Sequence, residues 1–191
     1  MRDWHLKKKR TLEQVGRNVK IIGIDPGYAI VGVGVVEYHS SRFTTLDYGA
    51  ITTEAGTEFS KRLEIIYHDF TQIIELHKPD AVAIEKLFFT TNQKTAIDVA
   101  QARGIILLVA SLHGVPCFEY TPLQVKQAVV GYGKAVKTQV QEMTKQLLNL
   151  RAIPKPDDVA DALAIAICHA HTAPSLMNQK RLAKQWKAAG K

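Results

Sequence analysis

The sequence predicts an α/β domain whose five-stranded mixed sheet is flanked by helices. Three observations predict it. Apolar, β-branched runs cluster in the first third of the ordered chain, with tight connections between them, as in an antiparallel meander. Later short apolar runs alternate with segments of helical period, giving the order βββαβαβα with further helices. The chain has 191 residues, of which 46% are hydrophobic, enough for one sizeable core.

Residues 1–18 show no apolar periodicity and contain Lys7-Lys8-Lys9-Arg10, so they are expected to form a basic N-terminal arm ahead of a domain spanning 19–171. VKIIGIDP (19–26) is a buried central strand ended by Pro26-Gly27. IVGVGVVEY (30–38) and residues 42–53 complete the meander. Residues 57–77 place Phe59, Leu63, Ile66, Phe70, Ile73, Ile74 and Leu76 at helical period, and Lys78-Pro79-Asp80 stops that helix. AVAIE (81–85) is almost wholly apolar, as a strand covered on both faces should be. A long helix over 92–113 starts at an Asn92 or Thr91 cap and ends at Gly114. Its Ala96, Ala100 and Gly104, four apart, make a narrow smooth face open to close approach. VPCFEY (115–120) is the last strand. Helices follow over 122–130 and 137–150, and a last amphipathic helix over 156–171 begins with Pro156. Residues 172–191 form a basic tail.

Composition excludes several classes. No run of apolar residues is long enough to cross a membrane, and MRDWHLKKKR lacks the apolar stretch of a secretory signal. Cys117 and Cys168 suit neither a disulfide framework nor a zinc site; they read as small buried hydrophobes in a reducing cytoplasm. The net charge of +7 lies at the ends. Residues 1–20 hold seven Lys/Arg and two acids, residues 172–191 hold five Lys/Arg and no acid, and the remaining stretch carries 13 basic against 16 acidic residues. The charge alone is therefore no argument for a nucleic-acid-binding core. The core has a local basic stretch, Leu123 to Lys155, with Lys126, Lys134, Lys137, Lys145, Arg151 and Lys155 against Glu142 alone.

Chemistry enters with the acids. Asp25 and Glu85 each end a buried apolar strand, where an ionised carboxylate is costly unless paired or bound to metal. Asp158 and Asp161 lie three apart, on one face of a helix. Taken singly, Asp25 is a turn residue before Pro-Gly, Glu85 an ion-pair partner of Lys86, and Asp157 and Asp158 helix N-terminal acids. Taken together they make a convergent oxygen-donor set without Cys or His, which suits Mg²⁺ or Mn²⁺ rather than zinc. Phosphodiester hydrolysis draws on two such ions about 3.5–4 Å apart to activate water and neutralise the phosphoryl and leaving oxygens. Spacing leaves the helix pair open, because Asp157 and Asp161 also share a face.

GIDPG (23–27), AVAIE (81–85), NxxTA with VxQARG (92–104), TPLQVKQAVVGYGKAVKTQV (121–140) and DDVADALAIAICHAH (157–171) resemble the RuvC Holliday-junction resolvases over roughly Val19 to His171. The resemblance implies a ribonuclease H-like fold and a homodimer. It implies paired symmetrical, Mg²⁺-dependent nicks in four-way junctions, leaving 5′-phosphate and 3′-hydroxyl ends, in homologous recombination and DNA repair. Two Mg²⁺ per active site, replaceable by Mn²⁺, would be held by Asp25, Glu85, Asp158 and Asp161, the family pattern D-x-x-D-A-L favouring Asp158 over Asp157. Phe88 would stack on unpaired bases at the crossover, with Phe89 competing and core packing the plainer reading. Lys126 and Lys137, and more weakly Lys134, match positions that hold DNA phosphates; otherwise they are solvated helix surface. Helix 92–113 would be the dimer helix, and the RuvA–RuvB branch-migration complex a partner. The basic arm and tail depart from the compact family pattern and would add salt-sensitive DNA affinity.

His169 and His171 stand two apart, do not face together on a helix, and read as structural. The Gly32-Val33-Gly34 triplet lacks the following helix that a dinucleotide fold needs. Three rival functions remain: another nuclease of the same fold, an actin-like ATPase domain, and a junction-binding module without catalysis. The intact acid set argues against the last, and the ATPase needs a second such domain for which this chain has no room.

Overall fold

The computed structural model describes the backbone of residues 18–87 and 93–188 and the side chains of 18–87 and 96–173. In chain order the elements are β1 (Val19–Asp25), β2 (Ile30–His39), β3 (Arg42–Thr52), α1 (Phe59–His77), β4 (Ala81–Glu85), α2 (Gln93–Leu112), β5 (Cys117–Tyr120), α3 (Pro122–Val130), α4 (Lys137–Leu147) and α5 (Asp157–Ala188). The sheet order is β3-β2-β1-β4-β5. β1, β2 and β3 form the antiparallel meander, and β1 pairs parallel with β4 as β4 does with β5. This is the mixed, ribonuclease H-like sheet that the resemblance implies.

The pleat sends alternate residues to two cores. Ile22, Ile24, Val33, Val35, Val82 and Ile84 pack with Ile66, Phe70 and Ile74 of α1 and Ile106 and Val109 of α2. On the opposite face, Ile21, Val36, Ala83 and Tyr120 pack with α5 and, beyond it, with Val125 and Val129 of α3 and Val140 of α4. All four residues from Ala81 to Ile84 are buried, as a strand covered on both faces requires.

Three expectations change. The last helix is not amphipathic over its packed part. Every residue from Ala162 to Ala170 is buried, because the sheet covers one side and α3 and α4 the other. The same helix starts at Asp157 and runs to Ala188 rather than ending near His171, through a segment rich in Ala, Leu, Lys and Gln. β5 begins at Cys117, and the Pro116 carbonyl accepts a hydrogen bond from the Val82 N–H at 2.9 Å. The proposed Thr91 and Asn92 caps lie outside the described residues.

α5 crosses the sheet at a seam of glycines. Gly23 of β1 stands opposite Gly34 of β2. A Cβ on Gly23 would fall 2.0 Å from the Ala162 carbonyl oxygen, one on Gly34 would fall 2.6 Å from Leu163 Cδ2, and one on Gly32 would fall 2.0 Å from the Asp158 carbonyl oxygen. Two of these obstacles are helix backbone, which cannot rotate away, so the helix lies where it does only because these strand positions lack side chains.

At the far end of the same layer, Thr121 opens α3 with a capping box. Its hydroxyl accepts from the Gln124 N–H at 3.1 Å, and the Gln124 side chain accepts from the Thr121 N–H at 2.8 Å. With Pro122 in the first turn, this fixes the start of α3 beside α5.

Gly23→Ala should force α5 off the sheet and lower unfolding stability by roughly 1–3 kcal/mol, the usual range for overpacking. Gly49→Ala, where a Cβ would meet nothing within 4 Å, should change it by less than about 0.5 kcal/mol. Urea denaturation of the two variants checks this, and equal midpoints would contradict the seam.

Candidate active site

β1 and β4 run parallel, and their last paired residues are Ile24 and Ile84. Asp25 and Glu85 come next in each strand, so both carboxylates leave neighbouring strand ends at one edge of the sheet. Their carboxyls lie close enough to act on each other. Asp25 also pairs across β1–β2 with Gly32, the glycine over which the Asp158 backbone passes. The seam therefore sets the first turn of α5 over the end of β1.

The two competing helix acids have different partners. Asp158 acts electrostatically on Asp25. Asp157 turns toward Lys155, whose Nζ lies 2.5 Å from its Oδ1, and toward Lys137 at 3.5 Å. The hydrogen bond from Lys155 holds the Asp157 carboxyl below its usual range. Asp161, one turn on, lies near enough to act on both Asp25 and Glu85. Asp158 and Asp161 thus both act on Asp25 beside Glu85, while Asp157 acts on Asp161 and shares Lys137 with it.

This convergence is electrostatically unfavourable by itself. Burial, with the added charges of Glu85, Asp161 and Asp158, pushes the Asp25 carboxyl up to about 8. Burial raises Glu85 as well, and the charge of Asp161 adds to it, against the opposing influence of Asp25 and Lys137. Asp161 is also raised by burial, against its hydrogen bond from Lys137. A site of this kind lacks positive charge. Its donors are all oxygen, which fits a hard divalent cation, although among the described residues no three His, Cys, Asp or Glu side chains are grouped so as to hold one as they stand.

One cation of the protein's own reaches these acids. Lys137 Nζ lies 2.9 Å from Asp161 Oδ2. It lines a cleft of about 190 Å³ with Glu85, Lys126, Asp161, Pro122, Val125, Val140, Ala164 and Ile165. Lys126 and Lys137 thus line one cleft with Glu85 and Asp161. Lys134 is exposed between α3 and α4 and is not part of this cleft wall. Phe88 and Phe89 lie outside the described residues. A larger cleft of about 340 Å³, between β3 and α1, contains none of the four acids.

His169 is structural, as read. It is buried against Phe118, its Nδ1 lies 2.8 Å from the Tyr120 hydroxyl, and burial pushes it down to about 4, so the ring is neutral. His171 faces away, with Nδ1 3.0 Å from the Ala128 carbonyl oxygen. Sequence reasoning missed the glycine seam and the Pro122–Val125–Val140 cleft wall. Glycines inside Val- and Ile-rich strands were the available signal for the seam.

Comparisons with known proteins place the chain among its relatives. The family model described as crossover junction endodeoxyribonuclease RuvC matches residues 21–169. A crossover junction endodeoxyribonuclease RuvC from Alkaliphilus oremlandii is 60% identical over 152 residues, covering 80% of this chain and 93% of that protein. One from Halothermothrix orenii is 54% identical over 170 residues, covering 89% of this chain and 99% of that protein. The structure of T. thermophilus RuvC in complex with Holliday junction substrate matches with a TM-score of 0.78 at 36% identity, covering 81% of this chain and 94% of that one.

The Asp25 shift gives a testable sign. A carboxyl raised in the folded protein stabilises the fold fully below its unfolded value near 3.8, and that stability is lost as pH rises toward about 8. Without divalent cations, Asp25→Asn should therefore exceed the wild type in stability at pH 8, by about 1–3 kcal/mol, with the difference vanishing near pH 4. Thermal unfolding in a chelating buffer measures it; an equal or lower stability at pH 8 would show that Asp25 is not under this strain.

Proposed function

The chain belongs to the RuvC family of crossover junction endodeoxyribonucleases, and from that premise we propose that it resolves four-way DNA junctions as a homodimer by paired symmetrical nicks, with Asp25, Glu85, Asp158 and Asp161 holding two divalent cations. The observation that carries the reading is the convergence of these four acids beside a lysine-bearing cleft. A family member from T. thermophilus has been solved in complex with Holliday junction substrate.

Mg²⁺, or Mn²⁺ in its place, would supply charge neutralisation at the phosphoryl oxygens and a more acidic attacking water. The protein supplies the positioning. Asp25 and Glu85 stand on the ends of two paired strands, and Asp158 and Asp161 on a helix packed over those strands, so the donors sit on rigid elements. Lys126 and Lys137 would hold phosphates in the cleft, with Lys134 at its periphery, and Phe88 would stack on unpaired bases.

The surface of α2 supports the dimer. Ile97, Gln101, Gly104, Leu108 and Leu112 fall on one exposed stripe at helical spacing, and Ile97, Leu108 and Leu112 are 57%, 49% and 64% exposed. A Cβ on Gly104 would meet nothing within 4 Å, which leaves room for a partner backbone. Within this reading residues 19–171 are the nuclease unit. The basic arm (1–18) and the basic residues after 172 add nonspecific phosphate affinity. Among the described residues no helix is long and apolar enough to cross a membrane. The free thiols of Cys117 and Cys168 are in keeping with work in the cytoplasm. Family membership also points to hand-over from a RuvA–RuvB complex, testable by co-capture on a junction.

One experiment tests the core of this. With Mg²⁺ and a synthetic four-way junction, the wild type should cut symmetrically and leave linear duplex and an RNA–DNA hybrid intact. Asp25→Asn should bind the junction with two chains per junction by light scattering and cut at least about a hundredfold more slowly. Retained cutting by Asp25→Asn would refute the site, and preference for the hybrid would refute the substrate.

A further inference from the structure

Lys137 opens α4, and its side chain crosses to α5, where Nζ lies 2.9 Å from Asp161 Oδ2 and 3.5 Å from Asp157 Oδ2. The lysine side chain is 54% exposed and the Asp161 side chain 30%. The pair thus sits at the mouth of the cleft rather than in the core, within reach of anything that enters it. An ammonium group donates hydrogen bonds and cannot ligate a metal, so on Asp161 it occupies the acid without completing a cage. The two strand-end acids, Asp25 and Glu85, act on each other.

We propose that Lys137 is a counterion switch: it holds Asp161 while the cleft is empty of DNA, and releases it to a divalent cation when a DNA phosphate enters the cleft and takes the ammonium. The proposal rests on the reading that these acids bind the cation. Its physical basis is competition. Asp161 and a phosphate compete for one ammonium, while the ammonium and a cation compete for Asp161. Linkage then requires each ligand to raise the affinity of the other. Lysine suits the task better than arginine, because its charge is a point on a flexible four-carbon stem that can move between two acceptors without a fixed bidentate geometry. The consequence is a nuclease that loads its cation poorly until substrate is in place.

Isothermal titration of the DNA-free, full-length protein with Mn²⁺ tests this without reference to activity. Lys137→Met should bind Mn²⁺ about three- to tenfold more tightly than the wild type, the range expected for freeing a partly buried carboxylate from one ion pair with a half-exposed lysine. Lys137→Arg, which keeps the charge on Asp161, should stay close to the wild type. Lys126→Met, which removes the same charge from the same cleft, should change the affinity by less than about twofold if direct pairing is the cause. Equal affinity in Lys137→Met and wild type, with binding abolished by Asp25→Asn, overturns the switch and leaves the cation site standing. Equal gains from Lys126→Met and Lys137→Met also overturn it, since the effect would then be general electrostatics. Mn²⁺ binding that Asp25→Asn leaves intact overturns the site and the switch together.

Discussion

Helix α5 touches the sheet backbone to backbone. At Gly23 and Gly32 a side chain would enter the helix main chain at Ala162 and Asp158, and at Gly34 it would enter Leu163. Strands need side chains to pack, so glycine within β1 and β2 costs stability unless something else fills the space. Here the helix fills it. The exchange fixes the height and azimuth of α5 over β1 to within the tolerance of a van der Waals contact. Everything proposed for the catalytic centre depends on that. The Asp158 backbone passes over Gly32, which pairs with Asp25, so the same contact that seats the helix also sets its acids against the strand-end acids.

The resulting cluster is a strained arrangement of charge held by a well-packed frame. Three of its carboxyls are raised, Asp25 to about 8, chiefly by burial. Apolar layers on both sides of the sheet, and α3 and α4 over α5, keep the acids from moving apart to relieve the repulsion. Relief comes from the Lys137 ammonium on Asp161. Stability spent this way is expected where a cation or transition-state charge is to be bound.

The strands and helices were legible because their periods were strong. The meander, the doubly covered β4 and the paired ends of β1 and β4 follow from apolar runs and turn residues. The four acids stood out as chemistry and order, and only the resemblance favours Asp158. Spacing could not make that choice, since Asp157 and Asp158 both share a helix face with Asp161. The assembled fold adds what spacing lacks: Lys155 pairs with Asp157, and the Asp158 backbone passes over Gly32, which pairs with Asp25. The Lys137–Asp161 pair joins two helices whose relative placement no local pattern encodes. The amphipathic reading of the last helix failed for a related reason: α3 and α4 cover the side that the sheet leaves, and His169 is buried against Tyr120 of β5, partners visible only once the sheet is assembled.

In the proposed centre the glycine-seated helix and the two strand ends together form one cation site. Anomalous diffraction from crystals of the full-length protein soaked in Mn²⁺ tests that most directly. Mn²⁺ peaks are expected over the ends of β1 and β4, within coordination distance of Asp25, Glu85, Asp158 and Asp161, with Asp157 outside the site. Peaks elsewhere on the protein, or none at saturating Mn²⁺, would contradict it.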